Sequence, residues 1–192
     1  MSSSAAARPY APVLADLVPW TWVRDVALVG MFTVALAASA QLGFPLPGTP
    51  VPVTAQTFVV LLGAAALGPV RAGIGAAGFF AAGAVGVPWF AVSSGTTLGY
   101  IAGFVLAALV VGRLARAGWN RSYGRAAAAM VIGNVAIYAI GATVLALLLG
   151  VGPWEAITLG VLPFLIGDAI KVAAATALLP SVQRFVDRSP NA

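Results

Sequence analysis

Hydrophobic residues in this chain run in long uncharged stretches, without the short amphipathic stripes of a water-soluble fold. From Val26 to Val70 there is no charge, and after Arg71 the run from Ala72 to Gly112 has none either. Each stretch has room for two membrane spans of roughly 20 residues. Ala126 to Gly150 supplies a fifth span and Val161 to Leu179 a sixth. The pattern predicts an all-α membrane protein with six transmembrane helices.

Interruptions divide the runs. Pro45, Pro47, Pro50 and Pro52 alternate between the first two spans, which forbids helix and predicts an extended loop capping the outer mouth, or a stiff connector. Gly86 and Pro88 end the third span, and Gly99 follows a polar run before the fourth. Gly160 and Pro163 predict a short interfacial piece over 154–160 and a last span starting near Val161.

Charge fixes the orientation. With a first helix running outward from Arg24 to about Leu42 and the others alternating behind it, nine of the ten basic residues fall on one side and the tenth is Lys171. The positive-inside rule makes that side cytoplasmic and puts both termini there. The layout is a cytoplasmic or interfacial segment over 1–23, a six-helix domain over 24–182 and a cytoplasmic tail over 183–192. Trp20, Trp22, Trp119 and Trp154 stand at span boundaries, as interfacial aromatics do.

Composition agrees: 61% of residues are hydrophobic, 8% are charged, and mean hydropathy is +1.00. Residues 1–19 hold no apolar run, so a cleaved signal peptide is not expected. The absence of Cys and His excludes disulfides, thiolate chemistry and His-based metal sites. The basic residues follow topology, which argues against a nucleic-acid partner. No G-x-x-x-x-G-K-[ST] pattern occurs, so any ATP that powers this protein is hydrolysed on another chain.

Against this apolar background, Asp168 and Lys171 stand out inside the last hydrophobic stretch. Ionised side chains at membrane depth cost several kcal/mol unless paired or facing a polar cavity, so they mark ligand, ion or proton sites. Their i, i+3 spacing puts both on one helical face, about 7 to 10 Å along the axis from the predicted helix start. The alternative is a structural salt bridge that locks this helix against its neighbours, with Asn134 or Tyr138, an i, i+4 pair on the fifth helix, as a further partner.

Other polar and aromatic groups fall nearby. Thr54, Gln56 and Thr57 open the second span; helix capping accounts for Thr54 as well as ligand contact does, whereas Gln56 fits a ligand contact. Trp89, Phe90 and Tyr100 lie near the outer face as walls for an apolar ligand or as an aromatic belt. On the first helix Gly30, Thr33 and Ala37, extended by Ala27 and Ala40, form a stripe of small residues for close packing, within the bundle or onto another membrane subunit.

These elements resemble a known family. Phe44-Pro-Leu-Pro, Val51-Pro-Val-Thr-Ala-Gln-Thr-Phe58, Leu67-Gly-Pro, Gly86-Val-Pro-Trp-Phe-Ala91, Leu98-Gly-Tyr-Ile-Ala-Gly-Phe104 and Leu162-Pro-Phe-Leu-Ile-Gly-Asp-Ala-Ile-Lys171 occur in the order found in BioY proteins. Those are the biotin-binding S components of energy-coupling-factor (ECF) transporters. The resemblance implies an S-component bundle in a prokaryotic cytoplasmic membrane. It would capture biotin from outside, do no chemistry on it, and work with a membrane coupling subunit and two ATPase subunits. It carries no cofactor of its own.

The implied ligand suits the residues. Biotin combines a ureido ring, an apolar thioether ring and a carboxylate tail. Asp168 can accept from ureido N–H groups, Lys171 can answer a carboxylate or carbonyl, Gln56 can do either, and the aromatics can wall the apolar part. Two other readings stay open: an S component for a different small vitamin, with a cationic one disfavoured by Lys171, and an ion-coupled carrier using Asp168 as its proton site. An intramembrane enzyme lacks nucleophile and base candidates.

Overall fold

The uncharged runs fold into packed helices in this computed structural model, which describes residues 22–88 and 95–188. The order is α1 (Trp22–Ala40), β1 (Gly43–Phe44), β2 (Val53–Thr54), α2 (Gln56–Leu67), α3 (Pro69–Ala84), α4 (Gly95–Arg116), α5 (Tyr123–Leu149), α6 (Pro153–Gly160) and α7 (Leu165–Arg188). Single 3₁₀ turns at Trp119–Arg121 and Leu162–Phe164 link α4 to α5 and α6 to α7.

Among the described residues, four segments are long and apolar enough to cross a membrane: Trp22–Ala40, Gly95–Arg116, Tyr123–Leu149 and Pro153–Ser181. The chain is therefore a multi-pass membrane protein. The other two expected spans are shorter helices. The 12 residues of α2 and 16 of α3 rise about 18 and 24 Å, less than the roughly 30 Å of hydrocarbon. Part of the predicted second span is spent on β2, so helix begins only at Gln56.

Between α2 and α3, Gly68 takes φ +81°, a conformation that suits glycine, and Pro69 opens the next helix. The chain folds back there. Gly63 and Gly75, on either side of the turn, both lie against the Phe32 ring of α1; a methyl at Gly75 would stand 2.7 Å from it. The ring thus fills a notch that only glycines leave open.

Centrally, α4 packs against α2, α3 and α5. Gly103 of α4 approaches the main chain of Ile137 so closely that a Cβ would lie 2.9 Å from its Cα. The core around this seam includes Leu61, Ile101, Met130, Ile137 and Leu145, all at most 2% exposed.

The proline-rich loop is an antiparallel hairpin, with Gly43 opposite Thr54 and Phe44 opposite Val53. Ala55 N–H adds a bond to Leu42 C=O at 3.0 Å. The last helix starts later than expected. Pro163 sits in the 3₁₀ turn, so α7 starts at Leu165, and the helix continues through Pro180 to Arg188. Asp168 consequently lies in the first turn of α7.

Candidate functional site

The hairpin, the start of α2, the middle of α5 and the first turn of α7 meet around one buried polar cluster. Asp168, 4% exposed, is its centre. Its Oδ1 accepts from Lys171 Nζ at 2.9 Å and from the Thr57 hydroxyl at 2.9 Å, and its Oδ2 accepts from the Tyr138 hydroxyl. The α7 N-terminus, whose free N–H groups carry partial positive charge, further favours a carboxylate there.

Lys171 is equally committed. Its Nζ donates to Thr54 C=O at 2.7 Å and to Thr57 Oγ1 at 2.8 Å, as well as to Asp168. One ammonium thus ties the hairpin to α2 and α7. Thr57 both accepts from Lys171 and donates to Asp168, a bridging role that sequence reading did not assign. The signal was its position beside Gln56 in an otherwise apolar span.

Gln56, 4% exposed, shares this region. Its Oε1 accepts from the Thr54 hydroxyl at 3.1 Å, and its own backbone N–H donates to Thr54 Oγ1 at 3.3 Å. Its side-chain Nε2 is buried without a hydrogen-bond partner. The Thr54 side chain therefore serves as both a local cap and a brace for the Gln56 amide.

These groups border a cavity of about 40 Å³, lined also by Val51 and Pro52 of the hairpin and by Tyr100, Phe104, Ile137 and Phe164. The proline-rich loop covers it, as the expected cap would. The volume admits a few solvent molecules and is far below the roughly 300 Å³ at which small-molecule pockets begin.

Tyr100 contributes its ring to the cavity, but its hydroxyl donates to Gly160 C=O at 2.7 Å. That bond anchors α6 to α4. Asn134 does not join the cavity. It is 7% exposed and lines an open groove of about 840 Å³ between α5 and α7, where its Oδ1 has no partner. Tyr138, one turn further along α5, borders both spaces, as does Asp168. Trp89 and Phe90, expected as apolar walls, lie outside the described residues, as does Trp20.

The small-residue stripe of α1 divides. Ala37 is 2% exposed within the core, and Thr33 Oγ1 bonds Gly75 C=O of α3 at 3.0 Å. Ala27 and Gly30 are exposed, and no atom lies within 4 Å of a Cβ built at Gly30. Packing within the bundle accounts for Thr33, Ala37 and the partly buried Ala40, leaving Ala27 and Gly30 on the surface.

The sequence and the fold also match known proteins. A family model described as the BioY family matches residues 7–188. A biotin transporter BioY of Thermotoga maritima is 35% identical over 163 residues, covering 81% of this chain and 94% of that protein. A probable biotin transporter BioY of Pyrococcus horikoshii is 33% identical over 167 residues, covering 83% and 96%. A biotin transporter BioY of Rhizobium etli is 31% identical over 174 residues, covering 81% and 90%. Among solved structures, the S-component for biotin from an ECF-type ABC transporter shares the fold, with a TM-score of 0.73 at 20% identity over 84% of this chain and 92% of that one.

Proposed function

The chain belongs to the BioY family, and from that premise we propose that it is the biotin-binding S component of an ECF-type uptake transporter. It captures biotin at the outer face of a prokaryotic cytoplasmic membrane and performs no chemistry on it. A membrane coupling subunit and two ATPase subunits supply the energy for transport.

One observation carries the reading: a buried acid and a partly buried base share a cavity beneath a loop, at the outer end of a membrane helix. A buried ion pair contributes little to stability relative to apolar packing, so its retention at membrane depth points to a ligand. Biotin presents both N–H donors and carbonyl or carboxylate acceptors, and Asp168 and Lys171 are the complementary acceptor and donor. Tyr100, Phe104, Ile137 and Phe164 offer apolar surface for the ring and tail.

Capture requires the cavity to widen. The contact easiest to give up is Lys171 Nζ to Thr54 C=O, because it joins a helix to a short hairpin, whereas the Thr57 and Tyr138 bonds to Asp168 join helices. Biotin then replaces the Thr54 carbonyl as an acceptor for Lys171.

Calorimetric titration of biotin into the purified protein and its Asp168→Asn variant tests the site. Losing a charged acceptor from a buried network costs on the order of 1.5–3 kcal/mol, so affinity should fall at least about tenfold. Equal affinity in the two proteins would remove Asp168 from the site.

A further inference from the structure

We infer that the groove between α5 and α7 is the path by which captured biotin leaves its cavity toward the cytoplasm, with Asn134 and Thr176 as polar stations along it. This rests on the proposed capture of biotin and adds a route inward. The groove measures about 840 Å³ and the cavity about 40 Å³, and Tyr138 and Asp168 border both spaces. Those two side chains are therefore the wall between them. The Tyr138 hydroxyl, bonded to Asp168 Oδ2, closes the wall, and turning the Tyr138 ring aside would join the cavity to the groove.

Beyond the wall the groove is lined mainly by apolar residues, yet it carries two polar side chains that the bundle leaves unsatisfied. Asn134, 7% exposed, and Thr176 both line it, and neither Asn134 Oδ1 nor Thr176 Oγ1 has a hydrogen-bond partner among the described residues. The two helices run antiparallel, since Tyr123 at the start of α5 lies 5.9 Å beneath the Arg184 guanidinium near the end of α7. Toward that end Asn134 stands about 6 Å along α5 from Tyr138, and Thr176 about 12 Å along α7 from Asp168. The positive-inside rule makes that end cytoplasmic.

Polar groups at membrane depth mark substrate pathways, because hydrocarbon cannot satisfy them. A lipid tail would fill the groove and leave both groups unpaired. Biotin supplies what they lack: an amide and a hydroxyl each both donate and accept, so the ureido group can exchange Asp168 for Asn134 and then for Thr176. The exposed Arg184 at the mouth offers a cation to the carboxylate tail.

The test uses the complete transporter, with coupling subunit and ATPases, in vesicles. Ala173 is exposed and lines the groove, so Ala173→Trp fills the path without entering the core. It should abolish ATP-driven biotin uptake while calorimetric affinity for biotin and assembly of the complex stay unchanged. Ala139→Trp, on the separate groove between α5 and α6, should transport normally. Asn134→Leu removes one station and should slow uptake about two- to tenfold. Because the chain has no cysteine, single thiols report what fills the groove: in inside-out vesicles an anionic, membrane-impermeant thiosulfonate should modify Ala173→Cys and spare Ala139→Cys. Normal uptake by Ala173→Trp, or protection of Ala173→Cys by lipid, would overturn the route. Failure of the Ala173→Trp complex to assemble would make the groove a partner surface and overturn it as well. Should that variant not fold, Ala177→Trp, one turn nearer the mouth, gives the same comparison. Wild-type vesicles that take up no biotin would instead overturn the proposed function, and the route with it.

Discussion

At the scale of single residues the cluster is a closed circuit in which each charge depends on the other. Removing Lys171 leaves Asp168 buried with its hydroxyl partners but no cation, and breaking a buried ion pair on one side typically costs 3–5 kcal/mol. Lys171→Met should accordingly lower the thermal unfolding temperature in detergent micelles. Adding Asp168→Asn should restore part of the loss, because the isolated charge is then gone while the amide oxygen still accepts from one of the two hydroxyls, Thr57 or Tyr138, and the amide nitrogen can donate to the other. A double variant less stable than the single one would show that the pair interacts too weakly to matter. Thr57→Val is milder: it keeps shape and removes only the hydroxyl bridge, so biotin affinity measured by calorimetry should drop about tenfold with little loss of stability. Asp168 and Lys171 could be read from sequence because a charge in an apolar run has few innocent explanations. Thr57 could not, since a threonine at membrane depth often satisfies itself on its own helix, and only tertiary placement revealed the bridge.

At the scale of elements, hydropathy located every helix but misjudged how some begin and end. Uncharged residues between Val26 and Val70 say nothing about where helix gives way to hairpin, and β2 took residues assigned to the second span. In α7 the 3₁₀ turn around Pro163 delayed the helix and brought Asp168 into its first turn. Asn134 and Tyr138 show the same limit: their i, i+4 spacing puts them on one face of α5, and both line the groove, but only Tyr138 also borders the cavity. What sequence could not show at all is the seam between α4 and α5. There Gly103 lets the helices approach to main-chain contact, and Ile137 cannot yield because a Cβ would meet its backbone at 2.9 Å. Gly103→Leu should force the helices apart and destabilise the bundle by about 1–3 kcal/mol or more, read as a lower unfolding temperature. Gly124→Leu, at a position with nothing within 4 Å, is the matched control and should leave that temperature unchanged.

At the scale of the whole molecule, the proposed function calls for a lipid-embedded surface that meets a coupling subunit, and we propose the outward side of α1 for that role. Its inward side is committed: Phe32, Leu36 and Ala37 are at most 5% exposed, and Thr33 is bonded to α3. Its outward side carries Ala27, Gly30, Val34 and Ala38, all exposed and spaced at i, i+3, i+7 and i+11 along one face. Ala27, Gly30 and Ala38 are small, and small residues along one face allow another helix to approach closely, which in lipid favours helix association. The surface proposed for docking therefore keeps Ala27 and Gly30 from the original stripe and replaces Thr33 and Ala37 with Val34 and Ala38. Gly30→Leu separates docking from folding, because the added side chain projects into open space in the isolated protein. It should leave biotin affinity and unfolding temperature unchanged while abolishing co-purification with the coupling subunit and ATP-driven uptake in vesicles. Ala37→Leu should instead overpack the core and destabilise the solitary protein. Normal assembly and uptake by the Gly30→Leu protein would move the contact to another face of the bundle, and loss of biotin binding in that protein would mean that α1 supports the site as well as the partner.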